Sequence, residues 1–175
     1  MSSVAPPQTI IVLGVSGSGK TTVGRELAEH LGYEFSDADD LHSAANIEKM
    51  ASGHPLTDDD RLPWLNTVGQ HVVDTERQAR GIVVACSALK RCYRDILRHY
   101  DPASFFVHLD GSFELISSRI AARTHHFMPP SLLSSQFATL EVLGSDELGV
   151  TINIDEDPPD IVDQILTSMP GADRP

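Results

Sequence analysis

The sequence predicts a three-layer α/β domain around a five-stranded parallel sheet, and three observations predict it. Five short β-rich runs are continuous in their apolar residues rather than alternating, as strands buried on both faces are. Segments of helical period separate these runs, which is the rhythm of crossover helices packed on both faces of a sheet. A glycine-rich turn joins the first run to the first helical segment, at the end of the strand where such sheets bind ligands.

In chain order, residues 1–8 (MSSVAPPQ) read as a loose tail, and Thr9 to Leu13 is the first strand. Val23, Leu27 and Leu31 then share one helical face, and Gly32 supplies a stop. The second strand is placed at Tyr33 to Phe35, followed by a helical face of Trp64, Leu65, Val68 and Val72. Ile82 to Cys86 and Phe105 to Leu109 are the third and fourth strands, and Leu115, Ile116 and Ile120 form the next helical face. Val150 to Ile154 is the fifth strand, with Ile161, Ile165 and Met169 on the last helix and a second tail from Pro170. With no internal repeat and no linker, the expectation is one domain spanning 9–169. Two segments exceed plain connections: Asp37 to Pro63, with seven acidic groups, and Thr124 to Ser135, with a Pro-Pro pair and two histidines. Long insertions of this kind are where a substrate is sought.

Composition narrows the partners. Of 175 residues, 13 are Lys or Arg and 25 are Asp or Glu, a net charge of -12. Such a surface repels phosphate backbones and anionic lipid, so neither nucleic acid nor a membrane is expected as a partner. Two cysteines without CxxC spacing, no long apolar run and no early basic residues predict a cytoplasmic protein without a signal sequence. No metal-ligand spacing predicts a zinc site.

Gly14, Val15, Ser16, Gly17, Ser18, Gly19, Lys20 and Thr21 match GxxxxGK[ST] in full, after a strand and before a helix. Glycines are required because main-chain N–H groups must curl around phosphate oxygens, which side chains would obstruct. The pattern predicts an ATP site in which Lys20 reaches the β- and γ-phosphates, Thr21 places its hydroxyl on Mg²⁺, and Thr22 offers a further donor. No guanine-reading NKxD is present. Ile152 to Glu156 imitates the acidic strand of a mechanical ATPase, but Asn153 interrupts it.

Asp37, Asp39 and Asp40 stand just past the second strand. Phosphoryl transfer needs one carboxylate for Mg²⁺ and one to orient the attacking hydroxyl, which assigns Asp37 to the first task and Asp39 to the second. The same acids would also suit a helix N-terminus.

Four stretches together resemble the gluconokinase family of small P-loop carbohydrate kinases, relatives of shikimate kinase. They are GVSGSGKTTVG, DADDLHSAANIEKMASGHPLTDDDRLPWL at 37–65, VVACSALKRCYRD at 83–95 and HFMPPSLLSSQFATLE at 126–141. The resemblance implies a P-loop NTPase fold with strand order 2-3-1-4-5, an acceptor-binding insertion at about 40–80 and a lid at about 124–137. It implies Mg²⁺- and ATP-dependent phosphorylation of D-gluconate at its 6-hydroxyl, feeding the pentose phosphate pathway, and it leaves a homodimer open. It also implies that His42 and Arg61 line the acceptor pocket, that Arg119 lies near the adenine and that Arg123 reaches the transferring phosphoryl group. Competing readings are a kinase for another hydroxy acid such as shikimate, or an ATP-driven switch.

A sugar acid needs a cation at its carboxylate and donors along its chain, and Ser87, Lys90 and Arg91 stand at a helix start beside the third strand. Arg94 and Arg98 follow at i+4 and i+8 from Lys90 and read as a solvated face. Trp64 and Cys86 read as packing.

Overall fold

The computed structural model of the protein describes residues 5–123 and 129–171. His125 and His126, and the outer parts of both tails, lie outside the described residues. Five parallel strands run in the order β2-β3-β1-β4-β5: β1 at Thr9–Leu13, β2 at Glu34–Asp37, β3 at Ile82–Ala85, β4 at Phe105–Asp110 and β5 at Gly149–Asn153. The helices are α1 (Lys20–Leu31), α2 (Ala44–Ala51), α3 (Asp58–Glu76), α4 (Arg91–Tyr100), α5 (Phe113–Ala121), α6 (Pro130–Thr139) and α7 (Pro158–Ser168). A 3-10 helix, Ala38–Leu41, follows β2 directly.

The unbroken apolar character of β1 has its reason in the two layers it separates. Ile10 and Val12 point into a core with Val23 and Leu27 of α1 and Ile161 and Ile165 of α7. Ile11 and Leu13 point the other way, toward Trp64, Leu65 and Val68 of α3 and Tyr93 and Leu97 of α4. Alternate residues of one strand thus serve opposite cores, and all five are buried.

Local chemistry sets the helix ends. Gly32 stops α1 at φ 65°, in the left-handed region, and its N–H reaches Ala28 and Glu29 carbonyls. Thr57 and Asp60 form a reciprocal capping box at the start of α3. The second strand differs from its expected span: it runs on to Asp37, whose backbone pairs with Ala85 of β3. Asp37 therefore ends the strand instead of following it, and only Asp39 and Asp40 ride on the 3-10 helix.

Register decides where the chemistry gathers. Asp37 and Val12 both lie opposite Ala85, so the residues that come next leave the sheet along one edge. Those residues are the Gly14–Gly19 turn, the 3-10 helix and Ser87, at the carboxyl ends of the three strands β1, β2 and β3.

Candidate active site

The glycine-rich turn leaves β1 and enters α1 at Lys20. Gly17 and Gly19 hold φ of 81° and 95°, a region side-chain-bearing residues avoid, and a Cβ on Gly17 would stand 2.7 Å from Ile120. The Lys20 Nζ donates to the Gly14 and Val15 carbonyls at 3.0 Å each. Burial lowers the Lys20 pKa, the neighbouring Asp39 opposes this, and Arg123 adds to the lowering. The Ser18 hydroxyl is buried in the loop with no partner among the described residues.

The Thr21 hydroxyl donates to Asp37 Oδ2 at 2.9 Å, while Asp37 Oδ1 accepts the Asp39 backbone N–H at 3.0 Å. Asp37 thus caps the 3-10 helix and sets its other carboxylate oxygen beside the P-loop threonine. Thr22 points elsewhere, onto the outer face of α1 beside Arg25 and Glu26.

Beside the turn opens a cleft of about 280 Å³. Ser16 and Lys20 form one wall, Asp39 and His42 come from the 3-10 helix and its end, Arg61 and Trp64 from α3, and Ser87 from the end of β3. The structure therefore brings six of the expected residues, Ser16, Lys20, Asp39, His42, Arg61 and Ser87, into one cavity. The Asp39 pKa is raised, first by the protein around the cleft and then by Asp37, although its side chain is 80% open to cleft solvent.

His42 is held from three sides. Its ring stacks on Trp64 with centroids 4.1 Å apart, and Nδ1 lies 3.4 Å from Asn46 Nδ2. The amide nitrogen can only donate, which leaves the proton on Nε2, 3.9 Å from Asp39 Oδ1. Burial lowers the His42 pKa, favouring this neutral form. Trp64 packs, with its indole N–H on the Ala38 carbonyl at 2.7 Å, and it lines the cleft as well. Arg61 donates to the Leu56 carbonyl and lies over the Tyr93 ring at 5.6 Å.

The basic residues of α4 require correction. Lys90 holds Asp58 at 3.0 and 3.1 Å, and Arg91 holds Asp146 in a two-pronged contact at 2.8 Å, so neither is brought to the cleft. Arg94 is no part of a solvated face: it is 0% exposed and paired with the buried Glu147 at 2.8 and 2.9 Å. Burial works against the Glu147 charge, but the Arg94 and Gly144 hydrogen bonds prevail and hold its pKa at about 2. Arg94 also donates to the Ala88 and Leu89 carbonyls, steadying a turn in which Ala88 has φ 39° immediately after Ser87. Arg98 completes the cluster at 3.0 Å from Glu147.

Arg119 of α5 donates to the Ile154 carbonyl at 2.6 Å, just past β5. The acidic pair Asp155 and Glu156 follows β5 at the sheet edge, separated from β1 by β4, and Glu156 accepts from Gln164. Cleft residues that stand within the family-like stretches but were given no role from sequence include His54, and Gln136 of α6, whose Oε1 accepts the Ser16 N–H at 2.7 Å.

A 2-3-1-4-5 parallel sheet with a phosphate-binding turn at its centre and a small-molecule cleft alongside defines the class of small P-loop kinases. The family model for shikimate kinase matches residues 16–167. The gluconokinase of Gluconobacter oxydans (strain 621H) is 44% identical over 167 residues, 95% of this chain and 94% of that protein. The thermoresistant gluconokinase of Escherichia coli (strain K12) is 46% identical over 149 residues, 85% of each. A crystal structure of a gluconokinase from Sinorhizobium meliloti 1021 superimposes with TM-score 0.86 at 45% identity, covering 94% of this chain and 92% of that one. The chain belongs to the gluconokinase family of shikimate-kinase-like P-loop kinases.

Proposed function

We propose that this protein transfers the γ-phosphoryl group of ATP to the 6-hydroxyl of D-gluconate, releasing 6-phospho-D-gluconate and ADP. The observation that carries this reading is one cleft in which Lys20 of the phosphate cradle faces Asp39, in a chain 44% identical to a gluconokinase over nearly its whole length. The amides of Gly14 to Thr21 would bind the phosphate tail, with Lys20 countering charge on the transferring group. Asp39 accepts the acceptor hydroxyl's hydrogen bond and aims it at phosphorus, and the Nε2–H of His42 faces the Asp39 carboxylate. Arg61 and Ser87 line the cleft where a sugar acid would need a cation and a hydroxyl-reading donor. Arg123 supplies a second guanidinium toward the phosphoryl group, and Arg119 borders the nucleotide side.

The Thr21 hydroxyl and Asp37 carboxylate are hard oxygen donors side by side, a set that fits Mg²⁺ with water completing its shell. Bound there, the ion would neutralise charge on the β- and γ-phosphates.

Among the described residues no helix is long and apolar enough to cross a membrane. A cytoplasmic location is part of this proposal, supported by the two free cysteines Cys86 and Cys92. The test is a coupled ADP-release assay with Mg²⁺ and ATP, comparing gluconate with shikimate and with no acceptor. Gluconate-dependent ADP formation is expected. Equal rates in all three arms would exclude a gluconate kinase.

A further inference from the structure

Gln136 and Ser16 lie 120 positions apart in the chain, yet the Gln136 Oε1 accepts the Ser16 backbone N–H at 2.7 Å. An amide N–H can only donate, so the contact decides which end of the carboxamide faces the P-loop and turns Nε2 away from it. Ser16 stands at the acceptor side of the cradle, because it and Lys20 share the cleft with Asp39 and Ser87. Main-chain amides of such a loop are the groups that grip phosphate oxygens. The amide nearest the acceptor belongs to the phosphoryl group in transfer, and one N–H cannot serve a carboxamide and a phosphate at full strength. The helix carrying Gln136 is anchored: Leu133 is buried in the core, and Phe137 packs edge-on against Phe113 with centroids 5.5 Å apart. The group with freedom to yield is therefore the Gln136 side chain, which already faces the cleft.

We propose that Gln136 competes with the γ-phosphate of ATP for the Ser16 amide and, once displaced, offers its carboxamide to the hydroxyls of the acceptor. Arrival of ATP then primes the acceptor cleft, and by linkage the acceptor favours ATP over ADP to the same degree. This inference rests on the kinase reading above.

The test is calorimetric binding of a non-hydrolysable ATP analogue, of ADP and of gluconate to the full chain, as wild type, Gln136→Met and Gln136→Glu. Methionine keeps the bulk and removes the competitor, so the ATP analogue should bind about fivefold tighter, the equivalent of one net hydrogen bond of ~1 kcal/mol, with ADP little changed. Glutamate still accepts the N–H but repels the γ-phosphate, so the analogue should weaken relative to ADP. The tightening of gluconate by the analogue, expected in wild type, should vanish in Gln136→Met. A purely structural role would move analogue and ADP together, and in the same direction in both variants; that result overturns the proposal. Turnover of gluconate by the same wild-type preparation separates the two readings. Its absence removes the kinase assignment and this inference with it, whereas normal turnover with an unaltered analogue-to-ADP ratio in both variants removes this inference alone.

Discussion

The Thr21 hydroxyl donates to the Asp37 carboxylate across 2.9 Å, tying the first turn of α1 to the last residue of β2. The strand that leads into α1, β1, is separated from β2 by β3 in the sheet, so the bond spans that gap at the proposed Mg²⁺ site.

Asp37→Asn keeps one oxygen for the Asp39 N–H and puts its NH2 beside the Thr21 hydroxyl, which can accept from it, but removes the charge. The Mg²⁺ concentration for half-maximal activity should rise by about 10- to 100-fold, the range for losing a partner that orients a metal through water. The melting temperature should hardly move. A Mg²⁺ titration at fixed ATP measures this, and an unshifted midpoint would remove Asp37 from the metal site.

The acid limb of kcat/KM should reflect Asp39, whose ionised form is proposed to receive the hydroxyl's hydrogen bond. Its pKa lies above the ordinary 3.8 because of the surrounding protein and then Asp37, against the pull of Lys20 and His42. Activity should therefore fall at a higher pH than a free aspartate would dictate. Without nucleotide or Mg²⁺, removing the like charge in Asp37→Asn should move the Asp39 titration, followed by carboxyl NMR, toward lower pH. A shift the other way, or none, would break the link between Asp39 and its neighbour.

Arg94→Met leaves the Glu147 carboxylate buried with a reduced set of partners, since Arg98 remains at 3.0 Å. Breaking a buried pair from one side costs about 3–5 kcal/mol, while replacing both members is often near neutral. Urea unfolding of Arg94→Met, Glu147→Leu and the double variant should show most of the loss recovered in the double. Simple additivity would mean that the two residues act separately.

Gly69 lies inside α3, where alanine would ordinarily help by about 1 kcal/mol. A Cβ there would stand 2.1 Å from the Tyr100 ring, and that ring is held by its hydroxyl bond to Asn66 at 2.8 Å. Overpacking costs ~1–3 kcal/mol, so the clash outweighs the propensity gain and Gly69→Ala should destabilise. Thermal unfolding decides the sign.

The sheet and the phosphate cradle were legible because both are written in local pattern. Continuous apolar runs report two-sided burial, and GxxxxGK[ST] needs its residues only in sequence order after a strand. Asp37 and Asp39 were legible for the same reason, being placed by the end of β2. Lys90 and Arg91 were not, because their charges are met by Asp58 and Asp146, 32 and 55 positions away. Arg94 looked like one more exposed cation until Glu147, 53 positions on, folded beneath it.

From the sequence alone came the alternation of strand and helix, the glycine turn that phosphate requires and the family those motifs resemble. Each depends on contacts within a few residues or on a spacing that only one backbone path can use. Tertiary structure decided which cations face the cleft and which are neutralised, that His42 is stacked on Trp64 with its Nε2 proton toward Asp39, and that a glutamine from α6 reaches the P-loop. A side chain's partner is set by what the packed layers bring within about 3 Å, the reach of a hydrogen bond, and no local pattern encodes that distance.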